Sequence, residues 1–109
     1  MCIRDRDNRI VFDPEGIAWA VRCGIETGVD VIKVGYPGDE AAFAEIIASC
    51  PTPIVMAGGP KTATFTEALQ QIAEGQRAGA RGAVVGRNMW GAPDITAAAL
   101  AYKLSLIHI

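Results

Sequence analysis

Apolar positions along this chain switch regularly between two spacings. From Pro14 they recur every fourth residue, at Ile17, Val21 and Ile25, the repeat of a helix with one buried stripe. Asp13 can cap that helix, Pro14 fits its first position, Glu15 favours its positive end and Gly28 supplies a left-handed stop. Val31-Ile32-Lys33-Val34-Gly35 follows, short, mostly apolar and closed by Tyr36-Pro37-Gly38. Such a run predicts a parallel strand covered by helices on both faces. Asp39 can cap a second helix with Phe43, Ile46, Ile47 and Cys50 as its stripe, and Pro51 and Pro53 prevent its continuation. Ile54-Val55-Met56-Ala57 reads as a second strand, ending at Gly58-Gly59-Pro60-Lys61. Thr64-Phe65-Thr66-Glu67 has capping-box spacing and opens a third helix, striped by Leu69, Ile72 and Ala73 and ended by Gly79. Gly82-Ala83-Val84-Val85 predicts a third strand running into Gly86-Arg87-Asn88. Pro93-Asp94 then starts a last helix through Ile95, Ala98, Ala99 and Tyr102.

The predicted order is αβαβαβα, which calls for an α/β fold with parallel strands joined by right-handed crossovers. Gly28-Val29-Asp30 before the first strand is echoed by Gly79-Ala80-Arg81 before the third. A repeating βα unit suits a barrel or a doubly wound sheet. Three such strands leave bare edges, and a closed (β/α)8 barrel needs eight strands and about 250 residues. Residues 8–103 are therefore expected to be the C-terminal part, about three βα units, of a TIM barrel. Residues 1–7 and 104–109 fit neither period and are read as non-native tails, so His108, the single histidine, is given no role.

Composition narrows the class. The 109 residues are 50% hydrophobic and 20% charged with net charge −2, a globular balance with no basic excess for nucleic acid or an anionic membrane. No apolar stretch approaches the roughly 20 residues of a membrane helix, and the N-terminus lacks the apolar core of a signal peptide. A cytoplasmic protein is expected. Cys2, Cys23 and Cys50 form no CxxC pair and suit reduced thiols, with Cys23 and Cys50 expected as small core residues.

The candidate chemistry starts at Lys33, which shares a strand face with Val31 and Gly35. Two readings compete. A lysine can lie with its stem along apolar surface and its head in water. Alternatively it is enclosed, and burial disfavours the charged form of an amine, leaving a nucleophile that can form a Schiff base with a carbonyl. Gly58-Gly59 and Gly86-Arg87 each follow a strand directly, where barrel enzymes keep their chemistry. Glycines there let backbone N–H groups approach an anion, and Arg87 can add a forked contact to phosphate oxygens. Each glycine pair is also an ordinary turn; two on consecutive strands favour phosphate binding. Lys61 either joins that site or faces solvent.

Val31-Ile32-Lys33, Tyr36-Pro37-Gly38-Asp39, the run from Pro53 to Thr62 and Gly86-Arg87-Asn88-Met89-Trp90 together resemble the archaeal-type class I fructose-bisphosphate aldolases. That group sits among the deoxyribose-phosphate and tagatose-bisphosphate Schiff-base aldolases. The resemblance implies a TIM barrel with Lys33 as the imine-forming residue and Gly58, Gly59, Gly86 and Arg87 as phosphate ligands. It implies metal-free retro-aldol cleavage of a phosphorylated sugar such as fructose 1,6-bisphosphate, in a homo-oligomeric parent enzyme with no nucleic-acid or membrane partner. The acid–base tyrosine of that family belongs to a strand preceding the first helix here, and Tyr36 follows the wrong strand to replace it. A stretch of this extent is thus expected to be inactive alone. Aminodideoxyheptulosonate synthases, a thiolase and a non-covalent phosphate-binding barrel isomerase or synthase are the alternative readings.

Overall fold

Helices in this chain begin where a side chain can take up free amide groups. In the computed structural model, which describes residues 12–107, Asp13 Oδ1 accepts from Gly16 N at 2.6 Å and Asp39 Oδ1 from Ala42 N at 3.0 Å. Thr64 and Glu67 close the expected capping box, at 3.2 and 3.3 Å. Asp94 Oδ1 accepts from Ala97 N at 3.0 Å. Each contact satisfies a donor that the helix itself leaves open. The elements that follow are α1 (Pro14–Glu26), β1 (Ile32–Val34), α2 (Glu40–Ala48), β2 (Ile54–Ala57), α3 (Phe65–Arg77), β3 (Gly82–Val84), α4 (Arg87–Trp90) and α5 (Ile95–Ile107).

The three strands form one parallel sheet in the order β1-β2-β3. Ile32 pairs with Ile54 and Val34 with Met56, then Met56 with Ala83 and Ala57 with Val84. This register puts Ile32, Val34, Ile54 and Met56 on one face, all buried beneath the helices with Ile17, Val21, Phe43 and Ile72. Phe43 is wholly enclosed. Gly75 lets α3 press against this layer, since a Cβ there would overlap Met56 Sδ. The sequence reading of βα units is met, and the architecture is a partial (β/α) barrel.

Four expectations are corrected. Among the described residues helices cover one sheet face, not two: Lys33, Val55, Ala57 and Val84 lie on the other, and Val31 and Val84 remain about half exposed at 52% and 48%. The apolar runs reflect a barrel strand, whose second face turns toward the barrel interior rather than toward a second helix layer. The single turn α4 was not anticipated, because four residues show no period. Leu104 to Ile107, read as fitting no period, continue α5; Leu106 extends the spacing of Ala98 and Tyr102, packs on the core and accepts from Gln76 Nε2 at 2.7 Å. That helix is apolar nearly all round, so its stripe fades into the sequence. Cys23, expected in the core, is exposed, while Cys50 is half-buried with its thiol donating to the Thr52 carbonyl at 3.2 Å. The tail reading for 1–7 and the reading of His108 fall outside the described residues.

Candidate active site

Parallel strands all end at the same edge of their sheet, and the loops that leave them converge there. Here the loops after β2 and β3 meet. Gly58 N donates to the Val84 carbonyl at 2.9 Å, and a Cβ on Gly58 would stand 3.1 Å from Val85 Cα. A side chain at this position would push the two segments apart by a few tenths of an ångström. Gly59 follows at φ 70°, in the left-handed region that other residues enter at a cost. Gly86 ends the other segment, and its carbonyl accepts from the Met89 and Trp90 amides at 2.9 Å as α4 begins.

Between these loops and β1 lies a cleft of about 360 Å³ lined by Phe12, Lys33, Ala57, Gly58, Gly59, Val84, Gly86, Arg87 and Trp90. Five of the six residues singled out from the sequence thus share one cavity. Lys33 reaches it because the β1 pattern is buried, exposed, buried, with the lysine on the open face. The expectation of an enclosed amine is not met within this chain. Lys33 is exposed, since nothing among the described residues covers that face of the sheet. Arg87, at the first position of α4, is also exposed. Among the described residues no carboxylate forms an ion pair with either cation, and no acidic side chain lines the cleft. The amides of Gly59, Gly86 and Arg87 donate to no backbone carbonyl among the described loop contacts. A cavity lined by two cations and no acidic side chain among the described residues favours an anion over a cation.

Lys61 is not part of this cleft. It lines the neighbouring hollow with Tyr36, Gly58 and Gly59, and its Nζ stands 3.0 Å from where a Gly91 Cβ would lie. Tyr36 is committed elsewhere: its hydroxyl donates to Glu74 Oε2 at 2.6 Å. Burial, reinforced by that bond and the Glu74 charge, pushes the phenol well above its ordinary value.

Three residues near the cleft were not singled out. Phe12 lines it and occupies the space a Gly35 side chain would need. Trp90, 67% exposed, sets its indole Nε1 3.7 Å from the position of a Gly86 Cβ. Asn88 is the buried polar residue of the described core periphery, 7% exposed beneath the loops. An amide side chain inside a glycine-bounded turn was the available signal, since such side chains bond nearby backbone.

A family description, DeoC/LacD family aldolase, matches residues 1–92. The chain belongs to the DeoC/LacD aldolase family. Among its relatives is the 2-amino-4,5-dihydroxy-6-oxo-7-(phosphonooxy)heptanoate synthase of Streptomyces griseus, 42% identical over 97 residues, which are 88% of this chain and 35% of that enzyme. The class 1 fructose-bisphosphate aldolase of Thermoproteus tenax is 41% identical over 78 residues, 71% of this chain and 30% of the relative. An archaeal fructose-1,6-bisphosphate aldolase, solved with its catalytic lysine covalently bound to the carbinolamine intermediate of the substrate, superposes with a TM-score of 0.83 at 36% identity. That match covers 87% of this chain and 38% of the aldolase. This DeoC/LacD chain therefore spans about a third of the length of the relatives it matches.

Proposed function

We propose that this chain carries the imine-forming lysine and the phosphate site of a class I aldolase acting on a phosphorylated ketose such as fructose 1,6-bisphosphate. The observation that carries the reading is the shared cleft, in which a strand lysine faces two glycine loops and an arginine. In this reading Gly58, Gly59, Gly86 and Arg87 hold the substrate phosphate, which fixes the ketone carbon against Lys33 Nζ. The amine adds to the carbonyl and water leaves, giving a protonated imine. The bond between C3 and C4 then breaks, its electron pair flows into the iminium, and an aldehyde departs. The resulting enamine is protonated at carbon and hydrolysed to release dihydroxyacetone phosphate. The proton transfers need an acid–base group, and none lines the cleft among the described residues. Such a group belongs to the remainder of the enzyme, as does the cover that would enclose the lysine.

A second reading has a specific support, the 42% identity to the heptanoate synthase. The product named for that enzyme joins a ketone and a phosphate as a dihydroxyacetone phosphate unit. Cutting its aldol bond leaves a four-carbon amino acid ending in an aldehyde. Both readings thus share the ketone donor and differ in the aldehyde. Lys33, Arg87 and the glycine loops would serve the shared half, and other parts of the enzyme would choose the acceptor. We further propose a cytosolic homo-oligomer working in carbohydrate metabolism. Its composition suits this, and no described helix is long and apolar enough to cross a membrane.

The full-length enzyme, treated with dihydroxyacetone phosphate and borohydride, is expected to gain the mass of the reduced adduct at Lys33. Lys33→Met should gain none. Turnover that survives in Lys33→Met would sink the covalent mechanism. Offering glyceraldehyde 3-phosphate or the amino-aldehyde as acceptor separates the two readings.

A further inference from the structure

We propose that Asn88 is a positioning residue that holds the two glycine loops at a fixed separation and so sets the affinity for the substrate phosphate. This inference rests on the phosphate-site reading above. The Asn88 side chain turns beneath the loops, outside the cavity that Arg87 and Trp90 line. Its Nδ2 donates to the Gly58 carbonyl at 3.3 Å and to the Pro60 carbonyl at 3.1 Å. Its Oδ1 accepts from Thr62 N at 2.9 Å and stands 3.2 Å from Thr62 Oγ1. A carboxamide offers two donors and one accepting oxygen, and here both donors and the oxygen have backbone partners, while the Thr62 hydroxyl proton goes to the Thr64 carbonyl at 2.7 Å.

The consequence is mechanical. Gly58, Pro60 and Thr62 alternate along the loop after β2, and one side chain from the start of α4 grips all three. Gly59, between the first two, is left with its amide free at φ 70°, while Arg87 is the residue directly before the grip. Any shift of α4 relative to the β2 loop must break at least one of these bonds while buried, where an unmet polar group is costly. The separation between the Gly59 backbone and the start of α4, which carries Arg87, is therefore held by Asn88 as well as by the Gly58 N–Val84 carbonyl bond. A ligand with no phosphate has nothing to gain from that separation.

Asn88→Asp keeps the shape but replaces the donating Nδ2 by an oxygen facing two carbonyls. In the full-length enzyme, the measurement is the rate of borohydride trapping against ketone concentration, with dihydroxyacetone phosphate and with unphosphorylated dihydroxyacetone. For Asn88→Asp the half-saturating concentration of the phosphorylated ketone should rise roughly tenfold to hundredfold, the scale of effect expected when a positioned group moves by about 1 Å. The limiting trapping rate, and the response to dihydroxyacetone, should change far less. A purely structural role would depress both ketones in proportion. That outcome, or no change in either, overturns the inference. If Asn88→Asp does not fold, Asn88→Ala decides, since it removes the bonds to Gly58, Pro60 and Thr62 without placing a charge among them; it should shift the same ratio in the same direction, by roughly tenfold, and no shift overturns the proposal. Wild-type enzyme that traps neither ketone, or prefers neither, refutes the phosphate-site reading itself and the inference with it.

Discussion

Lys33 and Arg87 are both cations in one cleft, yet the two are not interchangeable. An ammonium can lose a proton and attack carbon, whereas a guanidinium stays charged and offers a rigid fork to oxygen atoms. Arg87→Ala is expected to raise KM for a phosphorylated ketose by roughly tenfold to hundredfold, as hydrogen bonds to charged groups contribute about 1.5–3 kcal/mol, and Arg87→Lys should recover part of that. Steady-state kinetics with full-length enzyme checks both. Lys33→Arg keeps the charge but should yield no trapped adduct. Tyr36 gives a contrasting case, because its phenol is bound to Glu74 and held neutral chiefly by burial. Its folded-state value lies above the unfolded value of about 10. The stabilisation is therefore complete below pH 10 and is lost as pH rises further. The melting-temperature advantage of wild type over Tyr36→Phe should be constant from pH 7 to 9 and shrink above 10. At this scale the candidate residues were legible because a lysine in an apolar run and an arginine after a glycine are chemically out of place. Asn88 was not legible: its work consists of contacts to residues nearly thirty positions earlier, at Gly58, Pro60 and Thr62.

Elements were readable where local chemistry determines them. Asp13, Asp39, Thr64 with Glu67, and Asp94 each cap the helix expected of them, and β2 occupies the predicted Ile54–Ala57. The losses came where period carries no information, in the single turn α4 and in the evenly apolar end of α5. Helix–sheet distance was equally silent in the sequence. Gly75 looks like an unfavourable helix residue until Met56 is seen filling its missing side chain. Gly75→Ala should therefore destabilise despite the better helix propensity of alanine. Overpacking of a closed core typically costs about 1–3 kcal/mol, whereas propensity alone would return roughly 1 kcal/mol. A lower urea midpoint with an unchanged slope is the expected outcome. A higher midpoint would mean that Met56 moves aside freely.

Among the described residues the molecule is a layered structure with one sheet face uncovered. Helices seal the face that carries Ile32, Val34, Ile54 and Met56, while the Lys33 face stays open. The sequence did not reveal that one face would be bare, because apart from Lys33 both sets of strand residues are largely apolar. Nor is the sheet equally secure across its width. Among the described residues β2 has hydrogen-bonded neighbours on both sides, whereas β1 and β3 each have one. Edge strands present unpaired backbone groups to water, and amides that lack a second neighbour open more easily. If the 109 residues are expressed by themselves, hydrogen exchange should therefore be graded. Amides of Val55, Met56 and Ala57 should exchange slowest, with those of β1 and β3 faster, and the half-exposed Val31 and Val84 should bind an apolar dye. Uniformly fast exchange would mean that a single sealed face is too little to hold the fold. Uniformly slow exchange with no dye bound would mean that a second copy covers the open side. In the full-length enzyme the same amides of β1 should become as slow as those of β2 if, as proposed, Lys33 works as an enclosed nucleophile.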